Sequence, residues 1–396
     1  MSRFAARRPP IESVRPEIRA LPAYELERVP ELQRRFKLDQ NESPWEPPRR
    51  LKERVAAELL ARPWARYPEI HSEELRRALS RHHAWPAAGI VVGNGSNELL
   101  ATAVETFVAP GGELLGLVPS FGAYPLYAVR AGARTRFLGP REDLASPLGE
   151  LHREIAHDPR RPLLLASPNN PTGEALAPAA LADLARALAA PLLLDAAYAE
   201  FCRHDYRPLL DEHPNLILFR TFSKAWALGG LRVGYLLGHP DLVREILKVK
   251  LPYNVGHAAA VAALVSLEAG EVQRRRVAAV RARRERWASM LAGFCLEVFP
   301  SEANFVLVRL PAAGEARRLH QGLLDRGILV RDVGGGPGLE GCLRITVGDG
   351  GALRAVRRAL EEVLGSAPSQ GFSSAVRTST PSPYPLPRPG GEGDKE

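Results

Sequence analysis

Short aliphatic runs alternate with longer amphipathic stretches through most of the chain. The runs Ile90–Val92, Leu114–Val118, Leu163–Ala166, Leu192–Leu194, Leu216–Phe219 and Val233–Leu237 show little polar alternation. Such runs predict strands buried on both faces. Between them, segments rich in Ala, Leu, Arg and Glu at 97–108, 178–189 and 240–250 predict helices. Buried strands alternating with helices give an α/β fold, a mostly parallel sheet flanked by helices. Ligands of such sheets sit at the carboxyl ends of the strands. After about Gly270 the pattern changes to a long Arg-rich helical stretch ending near Leu291. Strand-like Phe305–Arg309, a helix near 314–325, Ile328–Val330, Leu343–Val347 and a last helix near 351–364 follow, which predicts a small α+β domain. The expected organisation is an N-terminal arm over 1–40, a large domain over 41–275, a small C-terminal domain over 276–365 and a tail over 366–396. The tail is rich in Pro, Ser and Gly with few aliphatic residues, so disorder is expected there.

The chain has 396 residues, 45% hydrophobic and 25% charged, the balance of a soluble globular protein. Cys202, Cys295 and Cys342 are far apart and odd in number. They read as reduced packing residues, and no metal site is expected. No run approaches the roughly 20 apolar residues of a membrane span, and MSRFAARRPP lacks the apolar stretch of a secretory signal. A cytoplasmic location without a membrane partner is the expectation. The net charge of +8 raises the question of nucleic acid. The arginines are dispersed, however, and RARRER at 281–286 reads as a solvated helix face. Anionic small molecules are therefore the expected partners, and nucleic acid is not.

Several expected strand ends carry chemically distinctive residues. In TFSKAWALGGLRVGY (221–235), Lys224 follows a buried strand and stands between Ser223 and the pair Gly229–Gly230, with Arg232 eight residues on. A free lysine, with a pKa near ~10.4, is a poor nucleophile at neutral pH. A lysine that forms an imine with an aldehyde cofactor escapes that limit. Ser223 and Arg232 suit a phosphate, as a hydroxyl donor and a forked guanidinium. Asp195 ends LLLD, where a carboxylate can hold a pyridine nitrogen protonated, or can simply cap a helix. Tyr198 could donate to a phenolic oxygen on the same ring. The tight turn Asn170-Pro171-Thr172-Gly173 places the Asn170 amide at the sheet edge. GNGSNELL (93–100) opens a helix whose free N–H groups at Gly95, Ser96 and Asn97 can cradle phosphate, or whose Ser96 can cap it. In PSFGAY (119–124), Phe121 could stack on a ring or serve as core, with Tyr124 nearby. Each segment alone is weak. Together they supply what a phosphorylated pyridine aldehyde requires.

These segments resemble the fold-type I aminotransferases that depend on pyridoxal 5′-phosphate, over about residues 15–364. The resemblance implies Lys224 as the imine lysine and Asp195 on the pyridinium. It implies Asn170 and Tyr198 at the phenolic oxygen and Phe121 on the ring. Gly95, Ser96, Asn97, Ser223 and Arg232 would surround the phosphate. Within that superfamily the chain is most similar to the histidinol-phosphate aminotransferases, through IRALPAYE (18–25), KLDQNESPWEPP (37–48), ARYPEIHSEELRRAL (65–79), LPYNVG (251–256), EANFVLVRL (302–310) and GCLRITVG (341–348). That similarity implies a homodimer in which Tyr67 reaches the partner subunit's cofactor phosphate. It further implies substrate recognition by Arg331 and by Arg344 as carboxylate clamp, with Asn41, Tyr253 and Asn254 on the substrate side. Trp45 departs from the family, which usually has a smaller aromatic there, and so does the Gly-rich VGGGPGLEG (333–341).

The implied reaction moves the amino group of L-histidinol phosphate to 2-oxoglutarate, giving imidazole-acetol phosphate and L-glutamate. Lys224 would act as general base and acid. An aromatic-amino-acid aminotransferase and a threonine-phosphate decarboxylase are the alternatives on the same fold. A cofactor-sensing transcription factor would need an N-terminal DNA-binding domain, and only about 20 to 30 residues precede the enzyme-like region.

Overall fold

In the computed structural model, which describes residues 11–21 and 35–365, the leucine runs form the centre of a sheet. Leu163–Ala166 (β5), Leu192–Asp195 (β6) and Leu216–Thr221 (β7) lie side by side in parallel. Ile90–Gly93 (β2), Glu113–Leu117 (β3), Arg134–Leu138 (β4) and Gly234–Leu237 (β8) complete seven strands in the order β2-β8-β7-β6-β5-β3-β4. β8 alone runs against its neighbours. Successive side chains point to opposite faces, and both faces are covered. Leu164, Leu193, Ile217 and Phe219 meet Leu99, Leu100, Val104, Tyr124 and Val243, from helices Ser96–Phe107, Tyr124–Arg130 and Pro240–Val249. Leu163, Leu165, Leu192, Leu194, Leu216 and Leu218 share a cluster with Leu75, Leu79, Leu151, Leu181 and Leu184, from helices Glu73–His83, Leu148–His157 and Pro178–Ala187. Each fully buried leucine contributes about 1.5–3 kcal/mol relative to exposure, which favours unbroken aliphatic runs in the central strands.

β4 was not expected. Its RTRFL carries three polar residues before two apolar ones, and its first three residues are exposed, as suits an edge strand. A second sheet has the order β1-β11-β12-β10-β9, formed by Phe36–Leu38 (β1), Ile328–Asp332 (β11), Cys342–Thr346 (β12), Phe305–Arg309 (β10) and Glu297–Val298 (β9). Residues 36–38, expected in the arm, are thus a strand parallel to β11. Helices Gly270–Ala292, Ala313–Leu324 and Gly350–Leu364 add Trp287, Leu291, Leu319, Leu323, Val356 and Leu360 to the same core as the leucines of the large sheet. The expected tail over 366–396 and most of the expected arm lie outside the described residues.

Two expectations are corrected here. RARRER is a solvated face only in part: residues 281, 282, 285 and 286 are exposed, but other contacts were not expected. Arg284 is buried and donates to the Ala303 carbonyl at 2.9 Å, Arg281 donates to the Phe201 carbonyl at 3.0 Å, and Arg283 lies 4.5 Å from the Trp45 ring centroid. Three of these arginines anchor the long helix to other elements, because backbone carbonyls and an aromatic face stand where solvent was expected. Cys202 and Cys342 are buried as expected, but Cys295 is exposed beyond the end of that helix. Among the described residues, no helix is long and apolar enough to cross a membrane, and no cluster of side chains could hold a metal ion.

Candidate active site

Strand register brings the distinctive residues to one edge. Ala166 pairs with Asp195, Asp195 with Phe219, Thr221 with Gly234, and Gly234 with Gly93. The segments that follow β2, β5, β6 and β7, and the one that precedes antiparallel β8, therefore converge at the carboxyl ends of the parallel strands.

Lys224 is half-buried there. Its Nζ donates to the Gln40 carbonyl at 2.7 Å and lies 6.0 Å from the Tyr198 ring centroid. Burial brings its ammonium down to about 7, and the positive charges of Arg344, Arg232 and Lys37 push the same way against Glu42. Asp195 is 7% exposed. Its Oδ2 accepts from the Tyr124 hydroxyl at 2.8 Å and its Oδ1 from the Ala197 N–H at 3.1 Å. Burial pushes the Asp195 carboxyl up, while those two bonds and the charge of Lys224 oppose it.

Tyr198 accepts from the Asn41 amide at 2.9 Å. Asn41 is itself fixed: its N–H donates to Thr346 Oγ1 at 3.0 Å and its carbonyl accepts from Asn304 at 3.0 Å. Asn41 thus positions Tyr198. The Asn170 amide is not free as expected, because its Oδ1 accepts from Arg344 at 2.6 Å. That bond leaves the Asn170 –NH₂ as the group with hydrogens to donate. Arg344 also donates to the Asp39 carbonyl and lies 5.5 Å from the Phe305 ring centroid.

Arg232 donates to Ser223 Oγ at 3.1 Å and to the Gly229 carbonyl at 3.0 Å. A Cβ built on Gly95 would stand 2.5 Å from Arg232 Nη2, so only glycine allows the guanidinium to lie against this helix start. Gly95 is the N-cap, at φ +78°, and Ser96 is the first helical residue rather than the cap. Asn97 follows on the exposed side of the same turn. A hydroxyl, a fork of cationic donors and the open N–H groups of a helix start suit a phosphate. Phe121 is half-buried and meets Tyr124 edge-on, with centroids 5.7 Å apart.

Three expected residues stand apart. Tyr67 is 82% exposed and stacks on Tyr253 at 4.9 Å. Neither makes a hydrogen bond to the group around Lys224 among the described residues. Arg331 lies opposite Arg344 in the β11–β12 register but makes no side-chain hydrogen bond among the described residues. Asn254 faces inward: its amide donates to Glu98 at 2.6 Å and accepts from Lys250, so it braces its loop. Trp45 lines a cavity of about 370 Å³ with Lys37, Glu42 and Ser223, a cavity that neither Lys224 nor Asp195 lines.

Sequence reasoning missed Gln40, Thr346, Asn304 and Gly234. A Cβ on Gly234 would lie 2.7 Å from the Gly95 carbonyl carbon and nearer still to the Ser96 nitrogen.

The sequence profile of the family "Aminotransferase class I and II" matches residues 34–363. A histidinol-phosphate aminotransferase of Roseiflexus castenholzii is 38% identical over 351 residues, covering 85% of this chain and 94% of the relative. One of Chlorobium phaeovibrioides is 35% identical over 335 residues, covering 84% and 92%. The crystal structure of histidinol-phosphate aminotransferase from Sinorhizobium meliloti, in complex with pyridoxal-5′-phosphate, matches with a TM-score of 0.79 at 26% identity, over 88% of this chain and 96% of that one. With its mixed sheet, its strand-end lysine and these relatives, the chain belongs to the class I and II aminotransferases, among the histidinol-phosphate aminotransferases.

Proposed function

We propose that this protein binds pyridoxal 5′-phosphate and transfers the amino group of L-histidinol phosphate to 2-oxoglutarate, forming imidazole-acetol phosphate and L-glutamate. The observation that carries the reading is a half-buried lysine, brought to about 7, on the same sheet edge as a buried aspartate and an Arg–Ser–Gly cradle. The donor set fits the cofactor: a buried carboxylate for the ring nitrogen, Asn170 and Tyr198 for the phenolic oxygen, and Phe121 for the ring face. Gly95, Ser96, Asn97, Ser223 and Arg232 would hold the phosphate. When bound, the cofactor supplies an aldehyde to take up the amine and a ring that draws electrons from the substrate carbon.

Lys224 Nζ would serve as the base that takes the proton from the amine-bearing carbon of the substrate and as the acid that returns it. An amine near 7 is split between its two protonation states at neutral pH, which suits both halves of that task. Asp195 would hold the ring nitrogen as its anionic partner when the cofactor is bound. Asn41 holds Tyr198 in place. Arg344 grips the carboxylate of 2-oxoglutarate with its fork, and Arg331 shares substrate recognition. Tyr67 and Tyr253 stack on the outer surface, which supports a homodimer in which Tyr67 serves the partner subunit's cofactor phosphate.

Glutamate formation, measured with L-histidinol phosphate beside phenylalanine and tyrosine, tests the substrate. Preference for an aromatic amino acid would move that assignment and leave the chemistry standing. Release of carbon dioxide from threonine phosphate without 2-oxoglutarate would replace transamination altogether. Lys224→Ala must lose turnover, and a purified variant that still turns over sinks the assignment of the lysine.

A further inference from the structure

Asp195 faces a problem that its two local partners do not solve equally. Its carboxylate is buried, and burial favours the neutral form. The titratable groups that act on it or feel it are Tyr124 and Tyr127 from helix Tyr124–Arg130 and Lys224 beyond β7, while Tyr198 beyond β6 acts on Tyr124. The Tyr124 hydroxyl donates to Asp195 Oδ2 at 2.8 Å. The Ala197 backbone N–H donates to the other oxygen at 3.1 Å. Tyr124 is 2% exposed, and burial beside Asp195 pushes its hydroxyl well above the usual tyrosine range. The hydroxyl is thereby favoured in its protonated form, as a donor to Asp195. The Tyr127 hydroxyl, also buried, has no hydrogen-bond partner among the described residues and does not share the task.

We infer that Tyr124 is a positioning residue of the reaction, whose hydroxyl fixes the rotamer of Asp195 and keeps its carboxylate charged toward the cofactor ring. This rests on the reading of Asp195 as the partner of that ring. Tyr124→Phe removes one oxygen and leaves the ring contacts with Phe121 and Tyr127 in place. Hydrogen bonds to charged groups are worth about 1.5–3 kcal/mol, which is roughly tenfold to a hundredfold in an equilibrium constant.

The test is a double-mutant cycle on pyridoxal-phosphate affinity, read by titrating the cofactor's visible absorbance into wild type, Y124F, D195N and the double variant. Y124F is expected to weaken binding about tenfold or more in the wild-type background and by less than about threefold on D195N. It is also expected to shift the pH dependence of the bound cofactor's absorbance, which a loss of packing alone would not do. Equal losses in both backgrounds, or no loss in either, would overturn the inference. Thermal melts of the cofactor-free proteins identify a variant that has lost its fold, and the pH dependence of absorbance in the remaining folded fraction then decides. If wild type itself does not bind pyridoxal phosphate, the parent reading fails instead.

Discussion

Replacing Lys224 by methionine in the cofactor-free protein gives a worked test of its electrostatic setting. The ammonium falls from 10.5 to about 7 on folding, mainly through burial. At about 1.4 kcal/mol for each tenfold change in proton affinity, the charged form costs up to about 5 kcal/mol. Part of the side chain reaches solvent, so a cost of about 2–5 kcal/mol is expected after screening. The sign follows from proton counting. Between about 7 and 10.5 the unfolded chain holds more proton at this site than the folded one, so the lysine's contribution rises with pH. Below 7 the full penalty stands, and above 10.5 it is gone. K224M, which carries no charge, should therefore gain most over wild type at low pH. The gain should shrink by about 1.4 kcal/mol per pH unit through the window, or less with screening. Groups that titrate alike in both proteins cancel, and the lost bond to Gln40 adds only a constant below 7. Denaturant unfolding of both proteins from about pH 6 to about pH 11 reads the difference. A difference that is flat, or that grows with pH, would refute the reasoning.

Other substitutions test the remaining parts. Arg344→Lys keeps the charge but loses the fork that serves Asn170 and Asp39; KM for 2-oxoglutarate should rise about tenfold, while the half-reaction with L-histidinol phosphate, which has no carboxylate, should change less. Gly234→Ala should displace the Gly95–Ser96 turn, costing about 1–3 kcal/mol in thermal stability and weakening cofactor affinity in an absorbance titration.

How much was legible depended on which forces acted locally. The runs of β5, β6 and β7 could be read because strands covered on both faces demand aliphatic residues at every position. β4 and β1 were missed because an edge strand and a three-residue strand need no such pattern. RARRER was read only in part, because composition does not reveal that a carbonyl or an indole will stand beside a particular arginine. Lys224, Asp195, Asn170 and Arg232 were legible because each directly follows a strand or punctuates a turn.

By itself, then, the sequence determined the alternation of strand and helix, the edge at which chemistry collects and the residue types found there, since these follow from burial and turn geometry within short segments. Tertiary structure alone decided the pairings. Tyr124 meets Asp195 across 71 residues and Arg344 meets Asn170 across 174. A hydrogen bond forms only within about 3 Å and over a narrow range of angles, and only the folded packing of helices and strands brings such distant donors to that range.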